Sequence, residues 1–142
     1  MKGKYRKPLG KSLELARVLL VDDDATSRLT LQAVLRAGGY SVDAAASSAE
    51  ALGKLNEREY ELVLSDLGME SQEAGLEVLA HARSMDYQPA IAVVTSYRKA
   101  NADGGPDATL IEPEDLPGLL GRVADLISQR AARMVEGQLR QV

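Results

Sequence analysis

The strongest constraint on the fold is a recurring unit: a short apolar run stops at an acidic or hydroxyl side chain, and a segment of helical periodicity follows. RVLLVDDD is the clearest case. Val18 to Val21 is apolar at every position, so a strand there needs cover on both faces and belongs in the middle of a sheet. The next segment reads as a helix capped by Asp24, with Leu31, Val34 and Leu35 at i, i+3, i+4 and a Gly38-Gly39 stop. YSVDAA is a weaker strand, and Ser47 with Glu50 three residues later opens a helix that buries Leu52 and Leu55. Leu62 to Leu64 is a third strand, ending in Ser65-Asp66. A helix over Gly75 to Arg83 places Leu76, Leu79 and Ala80 on one face. Pro89 introduces AIAVVTS as a fourth strand, and Thr109 to Ile111 is the fifth. The last helix starts near Leu116 and keeps its period through Leu119, Leu120, Val123 and Ile127.

Strands and helices alternating at this spacing predict an α/β, doubly wound, five-stranded parallel sheet with helices on both faces, because right-handed crossovers link parallel neighbours. In such sheets the working site lies beyond the carboxyl ends of the strands. That rule gathers Asp22, Asp23, Asp66, Thr95 and Glu112 at one rim, each the polar residue that ends an apolar run. The fourth crossover breaks the rhythm. SYRKANADGGPD has no apolar stripe and a Gly-Gly-Pro interruption, so a mobile loop or one or two helical turns is expected there instead of a full helix.

The 142 residues, 45% of them hydrophobic, suit one domain with tails. The division is a disordered basic leader over 1–16 carrying Lys2, Lys4, Arg6, Lys7 and Lys11, a folded domain over 17–129, and a helical extension or tail over 130–142. A formal net charge of −4 argues against nucleic-acid binding through a general basic field. The lack of cysteine excludes disulfides, thiolate-bound zinc and thiol catalysis. No apolar run approaches the length of a membrane span or a signal-peptide core, so a cytoplasmic protein without membrane insertion is expected.

Clustered carboxylates repel one another, and a site with two or three of them ordinarily holds a divalent cation. Oxygen ligands with room for water suit Mg2+ or Mn2+. Helix capping and dipole compensation account for one or two of the acids in Asp22-Asp23-Asp24, but not for three. A carboxylate beside a cation can also attack phosphorus to give an aspartyl phosphate, with a neighbouring hydroxyl such as that of Thr95 holding the transferred oxygens. DDDAT, Asp22 to Thr26, also matches the nucleophile motif of haloacid-dehalogenase-type phosphatases. That reading leaves Asp66 unexplained, and for the downstream lysine such enzymes need the loop after Thr95 offers only Lys99.

Taken in order, VLLVDDD, LVLSDLGM, AVVTS and LIEP resemble the receiver domain of two-component response regulators over roughly Arg17 to Gln129. The resemblance implies the flavodoxin-like strand order 2-1-3-4-5, for which receivers are a standard example. It also implies phosphorylation of Asp66 by a histidine kinase or phosphotransfer protein, in a module that is not a dedicated turnover enzyme. Asp22, Asp23, Asp66 and the backbone carbonyl of Gly68 would hold Mg2+, Thr95 would be the switch hydroxyl, and Pro113 would follow a cis peptide bond. Output would run through a downstream protein partner without direct DNA binding, and the last helix and tail offer a surface for homodimerisation.

The chain departs from that pattern at four places. Glu112 stands where the family has a lysine that pairs with the phosphoryl group, and Thr109 stands where it usually has an aromatic that swings inward. Glu70 replaces a common proline, and the fourth helix is reduced to the loop over 97–107. An inverted charge near Asp66 disfavours a further anion there. Two expectations follow: a phosphoaccepting receiver that signals by other parts, or a pseudo-receiver that serves as an interaction module without phosphorylation.

Overall fold

The strands of this chain form one parallel sheet in the order β2-β1-β3-β4-β5. The structure is a computed structural model and describes residues 15–66, 72–94, 109–111 and 116–141. The elements are β1 (Arg17–Val21), α1 (Ala25–Ala37), β2 (Ser41–Ala45), α2 (Ser48–Glu57), β3 (Leu62–Asp66), α3 (Gln72–Arg83), β4 (Ala90–Val94), β5 (Thr109–Ile111) and α4 (Leu116–Gln141). The doubly wound fold expected from the strand-helix alternation is therefore present. The reduced helix expected in the fourth crossover falls at 95–108, outside the described residues.

Period-2 alternation divides the apolar side chains between two cores. Val18, Leu20, Leu62, Leu64, Ala90, Ala92 and Val94 pack with Leu31 and Leu35 of α1 and Leu119 and Val123 of α4. Leu19, Val21, Val63, Ile91 and Val93 pack with Ala51 and Leu55 of α2 and Val78, Leu79 and Ala82 of α3. β1 is buried at all four positions from Val18 to Val21, as its unbroken apolar run requires. Tyr60 is the largest fully buried side chain, and it is tolerated because its hydroxyl donates to Asp43 Oδ2 at 2.7 Å.

The local signals at the helix ends act as read. Asp24 caps α1, its Oδ2 accepting from Ser27 N at 3.0 Å. Ser47 Oγ accepts from Glu50 N at 3.2 Å, while Glu50 Oε1 reaches back to Ala46 N at 2.8 Å. At the other end of α1, Gly39 takes φ 101°, and the Tyr40 and Gly39 amides return to Leu35 O and Arg36 O. These two bonds make a Schellman turn, which needs a residue tolerant of left-handed backbone.

One helical face differs from expectation. α3 begins at Gln72, and its buried stripe is Gly75, Val78, Leu79 and Ala82, whereas Leu76 is 36% exposed and Ala80 faces solvent. The i, i+3, i+4, i+7 stripe is present but is built partly from small residues, so ranking positions by apolar size alone picks the neighbouring face.

The last two residues of the expected leader and the C-terminal segment meet the folded unit, while residues 1–14 lie outside the described residues. Leu15 N donates to Gly39 O, and the carbonyl of the buried Ala16 accepts from Ser41 N. α4 runs without a break from Leu116 into the 130–142 segment, ending at Gln141. Arg130 fastens it to the turn before β4, donating from Nε to Gln88 O at 2.9 Å and from Nη2 to Tyr87 O. Gln88 has φ 45°, left-handed backbone in a non-glycine residue, and the guanidinium occupies the carbonyls this turn presents. Among the described residues no helix is long and apolar enough to cross a membrane.

Candidate metal and phosphoacceptor site

β1 and β3 are adjacent and in register, with Val21 opposite Ser65. The next residue on each strand is an aspartate, so Asp22 and Asp66 meet at the sheet's carboxyl edge. Carboxylate oxygens of Asp22, Asp23 and Asp66 all lie within 4.8 Å of one another. The three differ in exposure: Asp22 is 1% exposed, Asp66 is half-buried and Asp23 is exposed.

The successive acids after β1 divide their roles. Asp22 N donates to Ala45 O at 3.0 Å, which continues the pairing with β2, and its Oδ1 accepts from Asp24 N at 3.0 Å. Asp24 caps the helix and stays outside the cluster. Three acids in succession thus supply two cluster members and one cap, which is why capping alone did not account for them.

The donor set fits a small hard cation. All three side chains offer oxygen, and opposite ligands of an octahedral Mg2+ site stand about 4 Å apart for metal–oxygen distances of about 2.0–2.1 Å. Oxygens spaced within 4.8 Å can meet that geometry with small side-chain adjustments. The buried Asp22 carboxylate gives a further reason, because an ionised group removed from water requires a compensating charge or hydrogen bonds.

Of the other residues expected at the rim, Gly68, Thr95, Glu112 and Pro113 lie outside the described residues, as does the 97–107 loop; Thr109 opens β5 at the adjoining edge strand. Sequence reasoning missed Arg28 and Ser65. The half-buried Arg28 donates from Nη1 to the Asp22 carbonyl at 2.9 Å. Ser65 Oγ is buried beside Asp66 without a hydrogen-bond partner. A side chain reaching back six residues to a carbonyl leaves no periodic trace, whereas a serine inside an apolar strand was a visible anomaly.

A parallel doubly wound sheet with three carboxylates converging at its carboxyl edge defines a class of α/β domains with an acidic site. The chain belongs to the response regulator receiver domain family, whose model matches residues 18–104, and it is a receiver domain of two-component signalling. It is 32% identical over 121 residues to the transcriptional regulatory protein PrrA of Mycobacterium leprae, covering 82% of this chain and 52% of PrrA. The chain therefore spans about half the length of that regulator. Among solved structures it is similar to a response regulator receiver protein from Sinorhizobium medicae, with TM-score 0.72 and 27% identity over 83% of this chain and 98% of that one. It is also similar to the response regulator TrrA of Thermotoga maritima in complex with Mg2+ and BeF, with TM-score 0.68 and 28% identity over 79% and 99% of the two chains.

Proposed function

We propose that this chain is a phosphoacceptor module of a two-component phosphorelay, taking a phosphoryl group onto Asp66 from a histidine kinase or phosphotransfer protein. The observation that carries the reading is the convergence of Asp22, Asp23 and Asp66 at the carboxyl edge of β1 and β3. Asp22, Asp23 and Asp66, with the Gly68 carbonyl, would hold Mg2+ or Mn2+. The cation supplies positive charge that offsets the charge of the incoming phosphoryl group.

The protein's own part is geometric. An Asp66 carboxylate oxygen attacks phosphorus as the P–N bond to the donor imidazole breaks; the new P–O bond gives an aspartyl phosphate, and the imidazole nitrogen leaves with the electron pair and takes a proton. β3 fixes the nucleophile because Asp66 is its last paired residue, opposite Val94 of β4. The hydroxyl of Thr95, next along the chain from Val94, would hold a phosphoryl oxygen. The module accepts a group and passes on a change of surface by contact with a downstream protein. It is not a dedicated turnover enzyme.

Intact-mass spectrometry tests this reading after incubation with Mg2+ and acetyl phosphate, and separately with a phosphorylated histidine donor. The wild type should carry one phosphoryl adduct that is absent from Asp66→Asn. No adduct from either donor would sink the proposal and favour the pseudo-receiver, which draws support from Glu112 and Thr109 in place of the family's lysine and aromatic.

A further inference from the structure

Nothing in the periodicity of the sequence singles out Arg28, yet its side chain joins α1 to the peptide between Asp22 and Asp23. Asp22 is fixed three ways: its amide pairs with Ala45 O of β2, its Oδ1 holds Asp24 N, and it is 1% exposed. Asp23 is different. It is the first residue fully off the sheet, its side chain is exposed, and the peptide that leads into it presents the Asp22 carbonyl to Arg28 Nη1 at 2.9 Å. Arg28 sits in the second turn of α1, a helix anchored by the Asp24 cap and by burial of Leu31 and Leu35. The guanidinium therefore ties the Asp22-Asp23 peptide to a rigid element.

We propose that Arg28 is a positioning residue for the cation site: by holding the Asp22 carbonyl it sets the plane of the Asp22-Asp23 peptide and so aims the Asp23 carboxylate toward Asp22 and Asp66. The inference rests on the reading of the acidic cluster as a divalent-cation site. Hydrogen bonds that orient ligands in this way typically change metal affinity by about 10–100-fold when removed.

The direction of the effect separates positioning from simple charge. A guanidinium close to the carboxylates opposes binding of a second cation, so on charge alone its removal would tighten Mn2+ binding. If Arg28 acts by orienting Asp23, removal weakens binding despite that gain. Lysine keeps the charge and one donor for one carbonyl, whereas methionine keeps comparable length and apolar bulk with neither.

The test is a titration of the metal-free chain with Mn2+, reading free aqueous Mn2+ by electron paramagnetic resonance, for wild type, Arg28→Met and Arg28→Lys. Thermal melts in EDTA establish that each chain is folded. The expected result is wild-type binding, a loss of about 10–100-fold in Arg28→Met, and recovery to within a few-fold of wild type in Arg28→Lys. Tighter or unchanged binding in Arg28→Met, or an Arg28→Lys chain as weak as Arg28→Met, would overturn the positioning role while leaving the cation site standing. An Arg28→Met chain that does not fold would make the residue a general stabiliser and equally overturn the inference. If the wild type binds no Mn2+, the cation-site reading itself falls, and this inference falls with it.

Discussion

Replacing Asp22 by asparagine should make the metal-free protein more stable, although it alters a buried residue of the site. The Asp22 carboxylate is 1% exposed, with an oxygen within 4.8 Å of oxygens on both Asp23 and Asp66. At that distance, Coulomb's law gives about 3.5 kcal/mol of repulsion per pair at an effective dielectric of about 20, and about 0.9 kcal/mol in bulk water. Asp23 is exposed, so its pair lies near the lower figure; Asp66 is half-buried and falls between. Relief of both pairs is therefore worth about 2–4 kcal/mol. Asparagine keeps an acceptor oxygen for Asp24 N, so the 3.0 Å bond to the turn survives. For a domain of this size the gain corresponds to a rise in Tm of roughly 10 °C, measured by circular dichroism in EDTA. Adding Mg2+ should then stabilise the wild type by mass action more than the variant and narrow the gap. An Asp22→Asn chain that melts at or below the wild-type temperature in EDTA would refute the charge-repulsion account of the cluster.

The two faces of α3 can be told apart by truncation: Leu79→Ala should cost about 2–5 kcal/mol, and Leu76→Ala, at a partly exposed position, well under half of that, in urea denaturation. High pH should destabilise the fold. Burial, with the Asp43 hydrogen bond next, pushes the Tyr60 hydroxyl far above its ordinary 10.0, and burial with Glu59 beside it pushes Tyr87 to about 12. The folded state keeps protons that the unfolded chain releases, so this contribution is fully present below pH 10 and declines as pH rises toward the folded values; ultraviolet tyrosinate titration beside denaturation curves at rising pH checks it. Restoring a cation by Glu112→Lys should raise the rate of adduct formation with acetyl phosphate in the intact-mass assay, and an unchanged rate would count against the charge argument at that position.

How much of this was legible in the sequence depended on whether the signal was local. β1, β3 and β4 could be read because both of their faces are buried, which demands unbroken apolar runs such as Val18 to Val21. The caps at Asp24 and Ser47 and the stop at Gly39 were legible for the same reason, since each is completed within a few residues. The meeting of Asp22 with Asp66 also followed from position, because parallel order places strand ends at one rim. The face of α3 was misjudged where Gly75 and Ala82 are buried, small residues that carry little hydropathy. Arg28 on the Asp22 carbonyl and Arg130 on the Tyr87 and Gln88 carbonyls were invisible, because side-chain contacts to backbone oxygens depend on how helices lie against the sheet and leave no pattern along the chain.

The fastening of α4 by Arg130 has a mechanical consequence. Between Arg130 and Gln141 the helix advances about 1.5 Å per residue, so about 16 Å of it continues beyond the fastening at the turn before β4. A bend of about 10° at the fastening would displace the far end by about 3 Å. Gln88, at φ 45°, presents one of the two carbonyls that hold the helix there. A small change at the turn where β4 begins would thus be felt as a larger swing at the far end of the helix, which acts as a lever arm.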